Sequence, residues 1–272
     1  EELPTAQGGC ELTRKEILEG LAKMSNGKAC GPDKIPAEVY KQVPICRELL
    51  VQLLKTIWCQ EEVPEQFAQA VFIMLYKNKG SVNDPTKYRC IGLLNHCYKT
   101  LSQCMLTRLD AETQGFLSDW QAGFRQKRGC RDNVMILRTL VDDILAQGKE
   151  LCATFIDYSS AFDSISHKFL DKALKRAKVS TKTRRMFRAI YRAANAVTKV
   201  DGVDGKVVLS KQFPIRRGVV QGDITSPLYF ILALEVILRD FDKHPGKGVA
   251  FGGTRVHTLG YADDAALIDY DI

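Results

Sequence analysis

A chain of 272 residues, 45% of them hydrophobic, can bury a substantial core and is long enough for two linked subdomains. No run reaches the roughly 18 apolar residues of a membrane span, the opening EELPTAQGGCELT lacks the basic-then-apolar order of a signal peptide, and nine cysteines without a C-x-x-C pair argue against a disulfide framework or a zinc site. The expectation is a soluble intracellular protein whose cysteines are reduced and mostly buried; its net charge is +7.

In chain order, Thr13 with Glu16 three residues on is a capping-box signal, opening a helix lined by Ile17, Leu18 and Leu21 that stops near Asn26-Gly27. GKACGPDKIP follows as a loop punctuated by Gly and Pro. A helix is predicted over 45–60, with Leu49, Leu50, Leu53, Leu54 and Ile57 facing inward, and a strand over 70–76. Asn95 caps a helix running to about Leu109, and residues 130–147 form another with Gly148 as its stop. An apolar strand over 151–156 ends at Asp157. Two basic helices then begin near Ser166 and Ser180, followed by a hairpin about Asp204-Gly205 whose second strand carries KVVLS. Ser226-Pro227 reads as the cap and first residue of a helix of about four turns, with Leu228, Ile231, Leu232, Leu234, Glu235 and Leu238 along a wide inward face. Strands near 249–251, 255–260 and 265–269 close the chain. Helices laid on a small, largely antiparallel sheet make this an α+β fold.

Charge is concentrated in one place. Between 168 and 199 there are eleven Lys or Arg (168, 172, 175, 176, 178, 182, 184, 185, 188, 192 and 199) against the single Asp171, which leaves the rest of the chain slightly acidic. Two readings stay open: a surface for a phosphate backbone, or a pair of solvated helices with basic outer faces.

The chemistry is carried by three segments. VHTLGYADDAALIDY sets Asp263-Asp264 at a tight turn between two strands, and LCATFIDYSSAFDS places Asp157 at the exit of an apolar strand. Either alone is ordinary turn chemistry. Together they are what a two-metal phosphoryl-transfer site requires, because hard oxygen ligands hold Mg²⁺ ions about 3.5–4 Å apart, one at the attacking and one at the leaving oxygen. Between them lies RRGVVQGDITSPLYFILALEVILRDF. Gly218 and Gly222 frame a loop that can approach a ligand closely, with Gln221 and Arg217 able to reach a nucleotide or template base.

These motifs, in this order and spacing, resemble the palm motifs of reverse transcriptases. Upstream, GKACGPDKIPAEVYK, IMLYKNKGSVNDPTKYRCIGLL and QAGFRQKRGCRDNV are similar to the finger motifs of the non-LTR, LINE-type retrotransposon branch, so the resemblance runs from about Leu12 to Asp269. It implies a right-hand polymerase fold, with helical fingers over 1–150 and a palm over 151–272, the hairpin near 196–210 packing with the fingers. It implies RNA-directed DNA synthesis from an RNA template, a DNA primer or target DNA, and dNTPs, with an intracellular location in nucleus and cytoplasm. Asp157, Asp263 and Asp264 would be catalytic and bind two Mg²⁺ ions, Mn²⁺ being able to substitute, with the Tyr158 carbonyl as a further ligand. Phe162 would lie under the sugar and exclude a 2′-hydroxyl, or be core packing. Tyr261 would contact the primer end, or be core. Arg89, Arg125, Lys77 and Lys87 stand in the triphosphate-binding motifs, Arg89 and Arg125 first because their forked donors match phosphate; Lys77 and Lys87 are equally readable as solvated. Asp163 and Asp223 read as structural acids.

Two departures stand out. Cys90 replaces the proline that usually follows the Tyr-Arg pair, and the chain closes eight residues after Asp264. The primer-grip segment and helical thumb are thus absent from it, as is an upstream endonuclease, and the chain reads as one portion of a polyprotein or as a truncated copy. The alternative function is a non-catalytic nucleic-acid-binding remnant. A telomerase- or intron-maturase-like enzyme would share the palm, but the finger motifs favour the LINE-type branch.

Overall fold

The computed structural model describes residues 11–125, 127–201, 206–241 and 248–270; the expected Asp204-Gly205 turn lies outside them. Thr13 caps α1 (Arg14–Ala22) through a reciprocal box, its hydroxyl accepting from the Glu16 amide at 3.2 Å while the Glu16 carboxylate accepts from the Thr13 amide at 2.9 Å. The same carboxylate accepts from Arg108 Nε at 2.7 Å, which ties α1 to the central helix α4 (His96–Thr113). After α2 (Ala37–Gln42), Pro44 opens α3 (Pro44–Gln60) at the position where its missing N–H costs nothing. Leu50, Val51, Leu54, Ile57 and Trp58 face the core, but Leu49 and Leu53 are 57% and 41% exposed. The inward stripe of α3 is therefore narrower than its run of leucines suggests, because at 100° per residue no more than one of two adjacent leucines can sit at its centre.

One sheet is built from β1 (Gln69–Tyr76) and β2 (Tyr88–Leu94) in antiparallel register, with β4 (Asn195–Asp201) parallel to β1 on its other side. β5 (Val207–Leu209) and β6 (Phe213–Pro214) both pair with β4. The 196–210 hairpin thus joins the sheet of the first half of the chain. Cys90 sits on edge strand β2 opposite Met74, and since Gly92 N–H two residues on turns outward to Gln221, the Cys90 N–H also faces away from β1; the Tyr-Arg pair runs on into regular strand.

The second sheet has the order β3 (Cys152–Ile156), β10 (Asp264–Asp269), β9 (Thr258–Tyr261), all antiparallel. Leu140 and Ile144 of α5 (Cys130–Ala146) pack on Leu259, Ile268 and Val249, the last from a ribbon of β7 (Val249–Phe251) and β8 (Thr254–Val256). The chain-order division at residue 150 is therefore crossed in both directions: β4 to β6 join the first sheet, and α5 joins the second. β3 is an edge strand with Phe155 73% exposed, so its apolar composition does not mean burial. Short α6 (Ala161–Ser164) leads into α7 (His167–Arg176) and α8 (Thr181–Ala193), and α9 (Ser226–Phe241) is buried around most of its circumference, as expected of a core helix. Of the eight described cysteines, all free, Cys97 and Cys104 alone are buried. The scattered cysteines were expected inside; most instead are partly or well exposed, on α3 and α5, on β2 and β3, and at Cys30 before α2.

Part of the basic segment is internally neutralised. Asp171 accepts from Arg184 at 3.0 Å and Arg188 at 2.6 Å, joining α7 to α8, and Glu61 at the end of α3 pairs with Lys182 and Arg185, each at 2.6 Å. Lys168, Lys172, Lys175, Arg176, Lys178 and Arg192 remain on the exposed surface.

Two stability outcomes follow. The Arg108 guanidinium beside Glu16 holds its carboxyl down to about 2, from an ordinary 4.5. Its contribution is thus complete above pH 4.5 and lost as pH falls through about 2. Glu16→Gln should cost about 1–3 kcal/mol at neutral pH, with thermal midpoints of variant and parent converging near the acid end; equal midpoints at pH 7 would contradict this. Asp171→Ala, which strands the 5%-exposed Arg184, should cost about 3–5 kcal/mol in urea unfolding, and a loss below 1 kcal/mol (roughly an exposed pair) would mean that the charge is relieved by water.

Candidate active site

Strand register brings the acids together. Ala265 pairs with Ile156, and the same antiparallel register carried one step further sets Asp264 opposite Asp157. Alternation along the strands puts Asp157, Phe155, Asp264, Ala266, Tyr261 and Leu259 on one face. α5 covers the far end of that face and leaves the acidic end open as a trough of about 280 Å³, lined by Asp157, Asp264, Tyr261, Phe155 and, from α5, Asn133 and Val134. Tyr261 is 41% exposed, which removes core packing as its role. Asp263 occupies the two-residue turn closed by the Tyr261 and Asp264 pair. Among the described residues no three His, Cys, Asp or Glu side chains are grouped so as to hold a metal ion by themselves. What stands here is an open set of hard oxygen donors beside solvent, with the Tyr158 carbonyl next in the chain. That donor set suits a hard divalent cation that keeps part of its water shell.

The turn itself is strained. Ala262 has φ +58°, a left-handed conformation that costs a residue with a Cβ about 1–2 kcal/mol. It is held by Gln121, a residue whose motif was read from the sequence and whose role was not. The Gln121 side chain is fully buried, accepts from the Ala262 amide at 3.0 Å and donates to the Ala262 carbonyl at 3.3 Å. The backbone beside it extends the sheet: Gly260 N donates to Trp120 O, and Ala122 N to Gly260 O, each at 2.8 Å. At Gly123 a Cβ would lie 2.1 Å from Ala262 N, so no side chain is tolerated there. The signal in the sequence was the uncharged polar Gln between Trp120 and the small residues Ala122 and Gly123.

Behind Asp157, α6 carries Phe162, whose ring stacks on Phe230 at 4.5 Å and 14° and meets Phe124 edge-on at 6.3 Å. Phe162 is half-buried; one face of the ring is packed, and the packing fixes its orientation. The 217–222 loop runs along α6, with Val219 N donating to Phe162 O at 2.8 Å, and then crosses to β2, where Gly92 N donates to Gln221 O at 2.6 Å. Gly222, at φ +117°, passes so close that a Cβ would meet Gly92 O at 2.3 Å. Asp223 anchors the loop from below: it is buried, accepts from Tyr98 Oη at 3.1 Å and Thr225 Oγ1 at 2.8 Å, and burial pushes its pKa up. A cavity of about 290 Å³ lies beside this loop, lined by Gln221, Arg217, Asp163, Cys90 and Phe72.

The expected phosphate-binding cations fall into two groups. Arg89 is exposed on β2 opposite Leu75, and Lys77 begins the arm between β1 and β2, donating to Thr86 O at 3.2 Å; Lys87, at the arm's other end, pairs with Asp84 at 3.8 Å. Arg125 is turned inward, its Nη1 donating to the carbonyls of Ser118 at 2.7 Å and Gln121 at 3.2 Å. It orders the loop that carries Gln121.

Residues 76–269 match the family model described as reverse transcriptase (RNA-dependent DNA polymerase). The chain is 26% identical over 242 residues to a retrovirus-related Pol polyprotein from the type-1 retrotransposable element R2 of Nasonia vitripennis, covering 88% of this chain and 22% of that protein. It is 25% identical over 263 residues to the RNA-directed DNA polymerase from the mobile element jockey of Drosophila funebris, covering 94% and 27%; it thus spans about a quarter of the length of such relatives. Among solved structures, an apo telomerase from Candida tropicalis superposes with a TM-score of 0.51 at 13% identity, over 82% of this chain and 49% of that one, which shows a right-hand polymerase fold. With the family model spanning well over half of its length, this chain belongs to the reverse transcriptase family and is homologous to the polymerases of non-LTR retrotransposons.

Proposed function

We propose that this domain extends a primer 3′-hydroxyl with deoxynucleotides on an RNA template, releasing pyrophosphate. The observation that carries the reading is the register placing Asp157 opposite Asp264 at the open end of the sheet, beside Asp263, in a chain whose family uses divalent metal ions. Asp157, Asp263, Asp264 and the Tyr158 carbonyl would hold two Mg²⁺ ions, or Mn²⁺ in their place, which when bound activate the attacking oxygen and stabilise the charge of the leaving one. The remaining work is alignment, where phosphoryl-transfer enzymes gain much of their rate. Phe162, fixed by Phe230, offers its ring to the sugar. Tyr261 flanks the primer end from the same face as Asp264. Gln221 and Gly222, over the cavity beside β2, back the templating base and incoming nucleotide, and exposed Arg89 and Lys77 meet the triphosphate. The exposed cations of α7 and α8 suit the template–primer backbone.

The test is primer extension on poly(A) with oligo(dT), dTTP and Mg²⁺. Asp157→Ala and Asp264→Ala should each lower extension by at least about 10²–10³-fold while leaving RNA binding and thermal unfolding nearly unchanged. Substantial residual extension would sink the assignment of the acids, and RNA binding by the parent without any extension would favour a non-catalytic binding domain. Phe162→Ala should lower the preference for deoxy- over ribonucleotides by at least about tenfold; unchanged discrimination would leave the ring as packing alone.

A further inference from the structure

The buried amide of Gln121 does more than fill space. It sits at 0% exposure among groups that each need a partner, and its two ends are chemically matched to them. Oε1 accepts from the amides of both Ala262, at 3.0 Å, and Gly123, at 2.7 Å, while Nε2 donates to the Ala262 carbonyl at 3.3 Å. One side chain therefore grips both the N–H and the C=O of the left-handed residue that separates Tyr261 from Asp263. The grip is itself anchored. Arg125 donates to Gln121 O and Ser118 O, Ser118 Oγ donates to the fully buried Glu235 of α9 at 2.5 Å, and Arg239 Nε closes on Glu235 at 2.6 Å. A continuous polar chain thus runs from the core helix behind the 217–222 loop to the acidic turn.

We propose that Gln121 is a positioning residue for the reaction, setting the φ of Ala262 and so the directions in which Asp263 and Asp264 present their carboxylates. This rests on the polymerase reading for its catalytic consequence, though not for the clamp itself. The requirement is specific to a carboxamide. Leucine, of similar volume, would leave two buried N–H groups and one C=O without partners. Glutamate could still accept from Ala262 and Gly123, but would turn an oxygen toward the Ala262 carbonyl and bury a charge.

The experiment compares the parent, Gln121→Leu, Gln121→Glu and Asp264→Ala in three readouts: amide hydrogen exchange at Ala262 and Asp263 without metal, Mn²⁺ affinity by paramagnetic resonance, and kcat and KM for dTTP in extension. Gln121→Leu should exchange the Ala262 amide at least about tenfold faster. It should also bind Mn²⁺ about 10- to 100-fold more weakly and lose a similar factor in kcat, with KM within about threefold. Gln121→Glu should fall between it and the parent, and it carries the test if Gln121→Leu does not fold. Unchanged exchange at Ala262 and unchanged Mn²⁺ affinity in a folded variant would overturn the proposal, as would a change in KM alone. A parent that fails to extend while Gln121→Leu still alters exchange and Mn²⁺ affinity would overturn the polymerase reading and leave the positioning role supported.

Discussion

Ala262 must be held at φ +58° for the second sheet to end in a two-residue turn, and that constraint organises much of what surrounds it. A longer turn would shift the pairing of β9 with β10, and since side chains alternate along a strand, a one-residue slip would send Tyr261 to the opposite face from Asp264. An alanine does not adopt this conformation unaided. The cost is offset by the Gln121 amide and by the backbone of 120–122, which adds itself to the edge of β9. The absence of a side chain at Gly123 and the inward turn of Arg125 both serve that approach.

The site is then assembled from two sheets that share no strand. The acids lie at the end of the β3–β10–β9 sheet, while Arg89 stands on β2 of the other sheet and Lys77 just past the end of β1. The 217–222 loop spans the gap, bonded on one side to α6 and on the other to Gly92, and Asp223 fixes its base with a buried carboxyl that two hydroxyls satisfy. A buried acid with neutral donors is expensive to ionise, so its raised pKa reflects a structural role, separate from the exposed acids of the trough. The contrast is physical: Asp157 and Asp264 of the trough are left at the solvent edge, and Asp223, which holds the loop, is sunk in the core.

The basic segment has the same dual character. Asp171 and Glu61 absorb Arg184, Arg188, Lys182 and Arg185 and convert them into the fasteners of α7, α8 and α3. The cations that remain exposed lie on α7 and α8 and, at Lys178, between them. Net charge over a segment therefore overstates the charge available to a polyanion, because linear counting cannot see a carboxylate that arrives from more than a hundred residues away.

The sequence by itself determined the local elements and the identity of the acids. Thr13 and Glu16, Ser166, Ser180 and the Pro227 helix start are short-range signals, written in caps and periodicities a few residues long, and the three acids stand in motifs whose order is readable without coordinates. It misjudged what depends on the environment of each element: the exposed Leu49, Leu53 and Phe155, the partly exposed cysteines, and the packing of α5 on the second sheet. Composition reports how apolar a segment is, and burial depends on whether another element arrives to cover it. Tertiary structure alone decided that Gln121 would meet Ala262, a contact spanning 141 positions, because hydrogen bonds to a distant backbone leave no periodic trace in the chain that makes them.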